Sequence, residues 1–215
     1  AGPQQPVERL EVARENGALI ILNHPGDRLG GSKVGTEGVP FDGYEVWNGP
    51  WRDTNDNSLA LWQEMLAQGR KVPAVGGSDT HQIISLTRHG HPCNHIFCSR
   101  FELPAVLDAI RAGHCYITRT PGDGPAELTV NGTMMGGTAA PAQQYTLQFD
   151  VQGLVCGDEI LLVNENGLFR KWQASVSRER RTLEVPEALF YRLEVRRTFP
   201  RGSQPVLLTN PVYLK

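Results

Sequence analysis

Three residues are of types that bind divalent metals, and each stands at the end of an apolar run. In Val75-Gly76-Gly77-Ser78-Asp79-Thr80-His81 a short apolar segment meets two glycines and then presents Asp79 and His81 two positions apart. In extended backbone, side chains two apart point the same way. A carboxylate and an imidazole aimed at one point suit zinc or manganese, and the glycines let the chain turn sharply there. A polar β-turn with a capping Asp is the plainer alternative. Ala18-Leu19-Ile20-Ile21-Leu22-Asn23-His24-Pro25 is built the same way, an apolar run closing on a histidine. In parallel α/β proteins the carboxyl ends of strands are where sites are assembled.

These segments resemble a known family. Asn23-His24-Pro25, Tyr44-Glu45-Val46-Trp47-Asn48-Gly49 and Gly77-Ser78-Asp79-Thr80-His81 are similar to the later motifs of the PHP (polymerase and histidinol phosphatase) superfamily, and in wording and order to its CehA/McbA-like metallohydrolases. The resemblance continues through Ile110-Arg111-Ala112-Gly113-His114-Cys115-Tyr116-Ile117-Thr118, Tyr191-Arg192-Leu193-Glu194-Val195-Arg196 and Leu208-Thr209-Asn210-Pro211-Val212-Tyr213. It implies metal ligation by His24, Asp79 and His81, with zinc, manganese or iron as the ion. It also implies hydrolysis of a phosphoester, or of a carbamate or related ester. The family's remaining ligands, an opening His-X-His strand among them, have no counterpart ahead of residue 18. His24, Asp79 and His81 serve different ions in the family, so the chain by itself would hold at most one. The expectation is therefore the C-terminal half of a catalytic domain, its open side covered by a second chain or by a missing N-terminal half.

Around this centre, Glu45, Asn48 and His89 are substrate-pocket candidates. Glu45 sits among larger apolar neighbours, where a hydrogen-bonded structural acid is the alternative. Trp47 and Trp51 would line a pocket wall or simply pack. Arg28 and Lys33, in the glycine-rich loop 25–40, are cations able to meet an anionic substrate. His89-Gly90-His91 copies the family's His-X-His in a late loop with no apolar strand ahead of it, and reads as coincidence.

The elements that must position these residues follow from periodicity. Helices are expected over 6–16, 56–68 and 103–112, where apolar residues recur at helical spacing and Gly17, Gly69 and Gly113 give stops. Strands are expected at 18–22, 44–48, 75–77, 95–98 and 115–118. This alternation predicts an α/β fold: a partial PHP-type distorted (β/α) barrel over 1–120. Thr120-Pro121-Gly122-Asp123-Gly124-Pro125 then reads as a linker. Beyond it the pattern is period two, clearest in Tyr145–Val151, with further strands at 159–164, 168–176, 181–185 and 190–196. That predicts an all-β, Ig-like sandwich domain over 126–215.

Composition bounds the function. The 215 residues carry a formal net charge of −2 and are 40% hydrophobic and 20% charged. That balance gives no basic surface for nucleic acid. No apolar run approaches the ~20 residues that span a bilayer, and no secretory leader is visible at residue 1. The four cysteines, at 93, 98, 115 and 156, form no dense disulfide framework; free thiols are expected, and a single bridge is compatible with the spacing. Two other readings stand beside the hydrolase. One is a non-catalytic binding or scaffold protein that keeps the fold. The other is a sandwich binding module using Tyr145 and Trp172 as exposed aromatics.

Overall fold

A computed structural model describes residues 4–27, 40–81 and 88–214. Arg28, Lys33 and most of the 25–40 loop lie outside these residues. The chain opens with α1 (Gln4–Glu15), β1 (Ile21–Leu22), β2 (Gly43–Asn48), α2 (Asp53–Ala67) and β3 (Ala74–Gly77). The three strands form a parallel sheet in the order β1-β2-β3. Asp53 and Asp56 in the first turn of α2 suit the positive end of its dipole, and Gly69, at φ +80°, takes the chain out of the helix.

Next come β4 (Cys93–Ile96), α3 (Leu103–Arg111), β5 (Cys115–Thr118), β6 (Ala126–Val130), β7 (Thr133–Met134), β8 (Tyr145–Gln152) and β9 (Glu159–Asn164). The chain ends with β10 (Gly167–Gln173), β11 (Arg178–Val185), β12 (Phe190–Phe199), β13 (Gly202–Thr209) and β14 (Val212–Tyr213). A large sheet runs β10-β9-β12-β13-β5-β4, with β14 paired to β12, and a four-stranded sheet runs β11-β8-β6-β7. Their pairings are antiparallel.

The expected partial barrel is therefore wrong. The described residues hold three helices against fourteen strands, and the architecture is an open, β-sandwich-like fold. β4 and β5, expected as barrel strands, pair antiparallel with each other. β5 then pairs with β13, Ile117 opposite Leu208, across the expected boundary at 120–126. The physical reason is burial on both faces. Tyr116 of β5 and Leu207 of β13 belong to the core between the two antiparallel sheets, with Leu128, Leu147, Phe149 and Leu193. Ile117 and Leu208 belong to a second core with Tyr44, Val46, Trp62, Leu66 and Phe190. A strand apolar on both sides fits the middle of a layered structure, so β5 becomes part of the shared sheet.

The parallel sheet is joined to this shared sheet by side chains. Asn210 Oδ1 accepts from the Ala74 N–H at 2.7 Å, and its Nδ2 donates to the Ala74 carbonyl at 3.0 Å. Asn94 does the same for Gly76, at 2.8 and 2.7 Å. Alternate residues of a strand direct their backbone groups to one edge, so two amides take the place of a neighbouring strand along β3. Gly76 is required at that junction because a Cβ would approach the Ile117 Cγ2 at 2.7 Å.

No helix among the described residues is long and apolar enough to cross a membrane. All four cysteines are free. Tyr145 is buried at 3% exposure, and Trp172 packs on the sandwich core, its ring 5.3 Å from Phe149. Neither aromatic forms the open binding face that the sandwich-module reading requires.

Candidate functional site

Three parallel strands end on the same side of their sheet, which gathers the residues singled out above. His24 lies two residues beyond β1, Glu45 is in β2, and Asp79 lies two residues beyond β3. Glu45 is the hub. Its Oε2 accepts from the His24 backbone N–H at 2.6 Å and from Asn48 Nδ2 at 3.2 Å. Asn48 is itself held: Arg52 Nη2 donates to its Oδ1 at 3.2 Å, and the Asn55 side chain takes both its N–H and its carbonyl. Gly77 leaves room for the Glu45 carboxylate, since a Cβ there would collide with Oε1. Arg52 and Asn55 are positioning residues the sequence reading missed. A polar Asn inside an otherwise amphipathic helix turn was the available signal.

The backbone is unusual at two of the proposed ligands. His24 has φ +32° and Asp79 φ +48°. Non-glycine residues in this region cost on the order of 1–3 kcal/mol and concentrate at functional sites. His24 Nδ1 is buried without a hydrogen-bond partner, as is the Thr80 hydroxyl. Asp79 Oδ1 meets His81 Nε2 at 3.1 Å, with the His81 side chain 81% exposed. Asp79 and His81 are thus brought together, while His24 is tied to Glu45. Among the described residues no group of three or more His, Cys, Asp or Glu side chains closes into a metal-holding set. The donor types fit a divalent ion; their number among the described residues does not complete a shell.

His89 is exposed, and its carbonyl holds the His91 ring through Nδ1 at 3.0 Å. Cys93 and His95 approach each other at 3.7 Å, but they are not a nucleophile and its base. The Thr118 hydroxyl donates to the Thr120 carbonyl, so it must accept from His95 Nε2 at 2.8 Å. That makes Nε2 a donor, with no lone pair for the thiol proton.

Burial raises the Glu45 carboxyl above its ordinary 4.5, the Asp79 charge adding to the rise, against the lowering effect of the His24 N–H, the Asn48 amide and the His24 charge. A carboxyl raised on folding holds its proton more tightly in the native state, so stability falls as pH rises from 4.5 through the folded value. Glu45→Gln keeps an acceptor for the His24 N–H and removes the buried charge. We expect urea unfolding to show a variant that gains on wild type as pH goes from 4.5 to about 8. A pH-independent difference between the two would exclude this role for the carboxyl.

No family model matches the chain, and no curated protein matches it. Among solved structures, the C-terminal domain of wzt is similar over 46% of this chain and 73% of that one, at 11% identity and a TM-score of 0.25. A likeness of that size carries no argument about fold or function.

Proposed function

We propose that the chain contributes His24, Asp79 and His81 to a divalent-metal hydrolase centre of the PHP, CehA/McbA-like kind, acting on a phosphoester or carbamate. The observation that carries this reading is the left-handed backbone at both His24 and Asp79, on the same side of one parallel sheet. The buried, unpartnered His24 Nδ1 supports it. So does Glu45, a buried carboxylate held by amide donors, whose charged form a nearby cation would favour. A bound ion would supply a water of lowered pKa and polarise the substrate's oxygen. The chain's own part is to hold imidazole and carboxylate donors in place, with Asn48 and Arg52 fixing Glu45. The remaining ligands would come from a second chain or another segment.

Elemental analysis of protein purified without chelator tests this. Wild type is expected to carry close to one equivalent of zinc, manganese or iron, and an Asp79→Ala, His81→Ala double variant about a tenth of that or less. Equal metal in both, or none in either, removes the reading. The second reading, a scaffold without a metal, is favoured by the direct Asp79–His81 contact, which already satisfies one carboxylate oxygen within the chain.

A further inference from the structure

A cavity of about 400 Å³ opens beyond the end of β2, between the 49–51 turn, the 88–92 segment and the start of the 119–125 loop. Its lining combines two chemistries. One is indole. Trp47 and Trp51 meet edge to face with centroids 4.9 Å apart. Both indole N–H groups are already used: Trp47 Nε1 donates to the Gly49 carbonyl at 3.0 Å and Trp51 Nε1 to Asp56 at 3.1 Å. The rings therefore offer apolar surface and no donors. The other is cationic, with Arg88 and Arg119, and with His91, Thr120 and Gln204 beside them. No carboxylate lines the cavity among the described residues.

Arg119 is the informative member. Its Nε is buried and has no hydrogen-bond partner. The nearest carboxylate, Asp123, stands 3.9 Å away, too far for a hydrogen bond. Asp123 is engaged elsewhere, accepting from the Thr120 hydroxyl at 2.7 Å and facing Arg197 at 3.6 Å. The guanidinium is instead kept in place by the Phe199 ring, 5.1 Å from its carbon. A stacked, positioned guanidinium with unspent donors is the usual receptor for a planar or tetrahedral oxyanion.

We propose that this cavity binds an organic anion carrying a flat ring, the ring against the Trp47–Trp51 wall and the carboxylate or phosphate group on Arg88 and Arg119. The volume is that of a small-molecule site, and the lining divides about evenly between apolar and polar surface. The site stands apart from the metal reading, because none of its groups is a proposed ligand.

The test is a tryptophan-fluorescence titration of the whole chain with phenylphosphonate in excess chelator, so that the result is independent of metal at Asp79 and His81. Saturable quenching is expected. Arg119→Met should weaken binding about tenfold and Arg88→Met severalfold, with thermal midpoints unchanged. Benzyl alcohol, which has the ring without the charge, and inorganic phosphate, which has the charge without the ring, should each bind at least about tenfold more weakly. Absence of saturable quenching, binding untouched by Arg119→Met, or equal binding of either half-ligand would overturn the proposal. Should Arg119→Met lower the thermal midpoint, Trp51→Phe decides instead. It must diminish the ligand-induced quench for the proposal to stand.

Discussion

Asn210→Ala is expected to cost about 4 kcal/mol in urea unfolding, close to the whole margin of many small domains. Asn210 is 1% exposed. Its amide takes both backbone groups of Ala74, and Nδ2 also reaches the Cys115 carbonyl at 2.9 Å. Alanine would leave one N–H and two carbonyls in a dry interior, each at a cost of about 1–3 kcal/mol. Asn94→Ala removes the matching strut at Gly76 but should cost about half as much, since that site is only partly buried and water can replace the amide. Asn210→Asp separates hydrogen bonding from packing. It keeps the acceptor for Ala74 but sets a carboxylate against two carbonyls, so its penalty should be greatest at neutral pH and shrink as the pH falls. A loss under about 1 kcal/mol for Asn210→Ala would mean that the ladder with β2, the Asn94 amide and apolar contacts hold β3 without the Asn210 amide.

The second large effect is expected at Arg192. This side chain is 3% exposed on the face of the shared sheet that α2 covers. Its Nε and Nη2 donate to Gln63 Oε1 at 3.1 and 3.0 Å, Nη1 reaches Glu194 at 3.3 Å, and the guanidinium lies over the Trp62 ring at 5.2 Å. Gln63 in turn donates to the Asn164 carbonyl at 2.7 Å. Burial works against the charge on Arg192, and Glu194 beside it opposes that. Arg192→Ala is expected to destabilise by about 4 kcal/mol, because it removes the donors to Gln63 Oε1 and to one oxygen of Glu194 and leaves a cavity against Trp62. Arg192→Met removes the same donors but fills most of the space, and in both variants Glu194 keeps Arg196, so about half that loss is expected for Met. Equilibrium unfolding of the two variants distinguishes charge from packing. Equal losses would mean that the pair with Glu194, rather than the stem, accounts for the effect.

The sequence showed the local elements more clearly than their assembly. Helices expected at 6–16, 56–68 and 103–112 appear at Gln4–Glu15, Asp53–Ala67 and Leu103–Arg111, because glycine stops and apolar residues at helical spacing are local signals. Tyr145–Gln152 kept its period-two burial for the same reason. What failed was partner choice. A short strand apolar on both faces, such as Cys115–Thr118, reads identically in a parallel barrel and in the middle of an antiparallel layer. Its partner β13 lies some ninety residues away, beyond any local pattern. The β6–β7 hairpin was legible and missed. Asn131-Gly132, with φ +48° and +79°, is the two-residue turn that this dipeptide favours.

At the candidate site, the placement of His24, Glu45 and Asp79 toward the carboxyl ends of one parallel sheet followed from each standing in or just after a strand. The linking of Asn48 through Arg52 and Asn55 depended on a helix entry angle that periodicity does not encode. The Arg119 cavity draws on four distant segments, Gln204 being the last, and no stretch of sequence announces it.

The shared sheet has a consequence for how such a chain can be taken apart. Its middle strands are floor to one core and ceiling to the other, and the 120–126 loop separates β5 from the strand that completes it. A cut in that loop would leave β13 with a raw edge in one fragment and take β13 from β5 in the other, while all of the buried sandwich core but Tyr116 would stay with the fragment that follows. The fragment before the loop is the one that loses most: Phe190, Leu208 and Tyr213 go from its core, and the Asn210 amide from β3. The parallel strands bearing His24, Glu45 and Asp79 must travel with the sandwich beneath them, as one heritable piece.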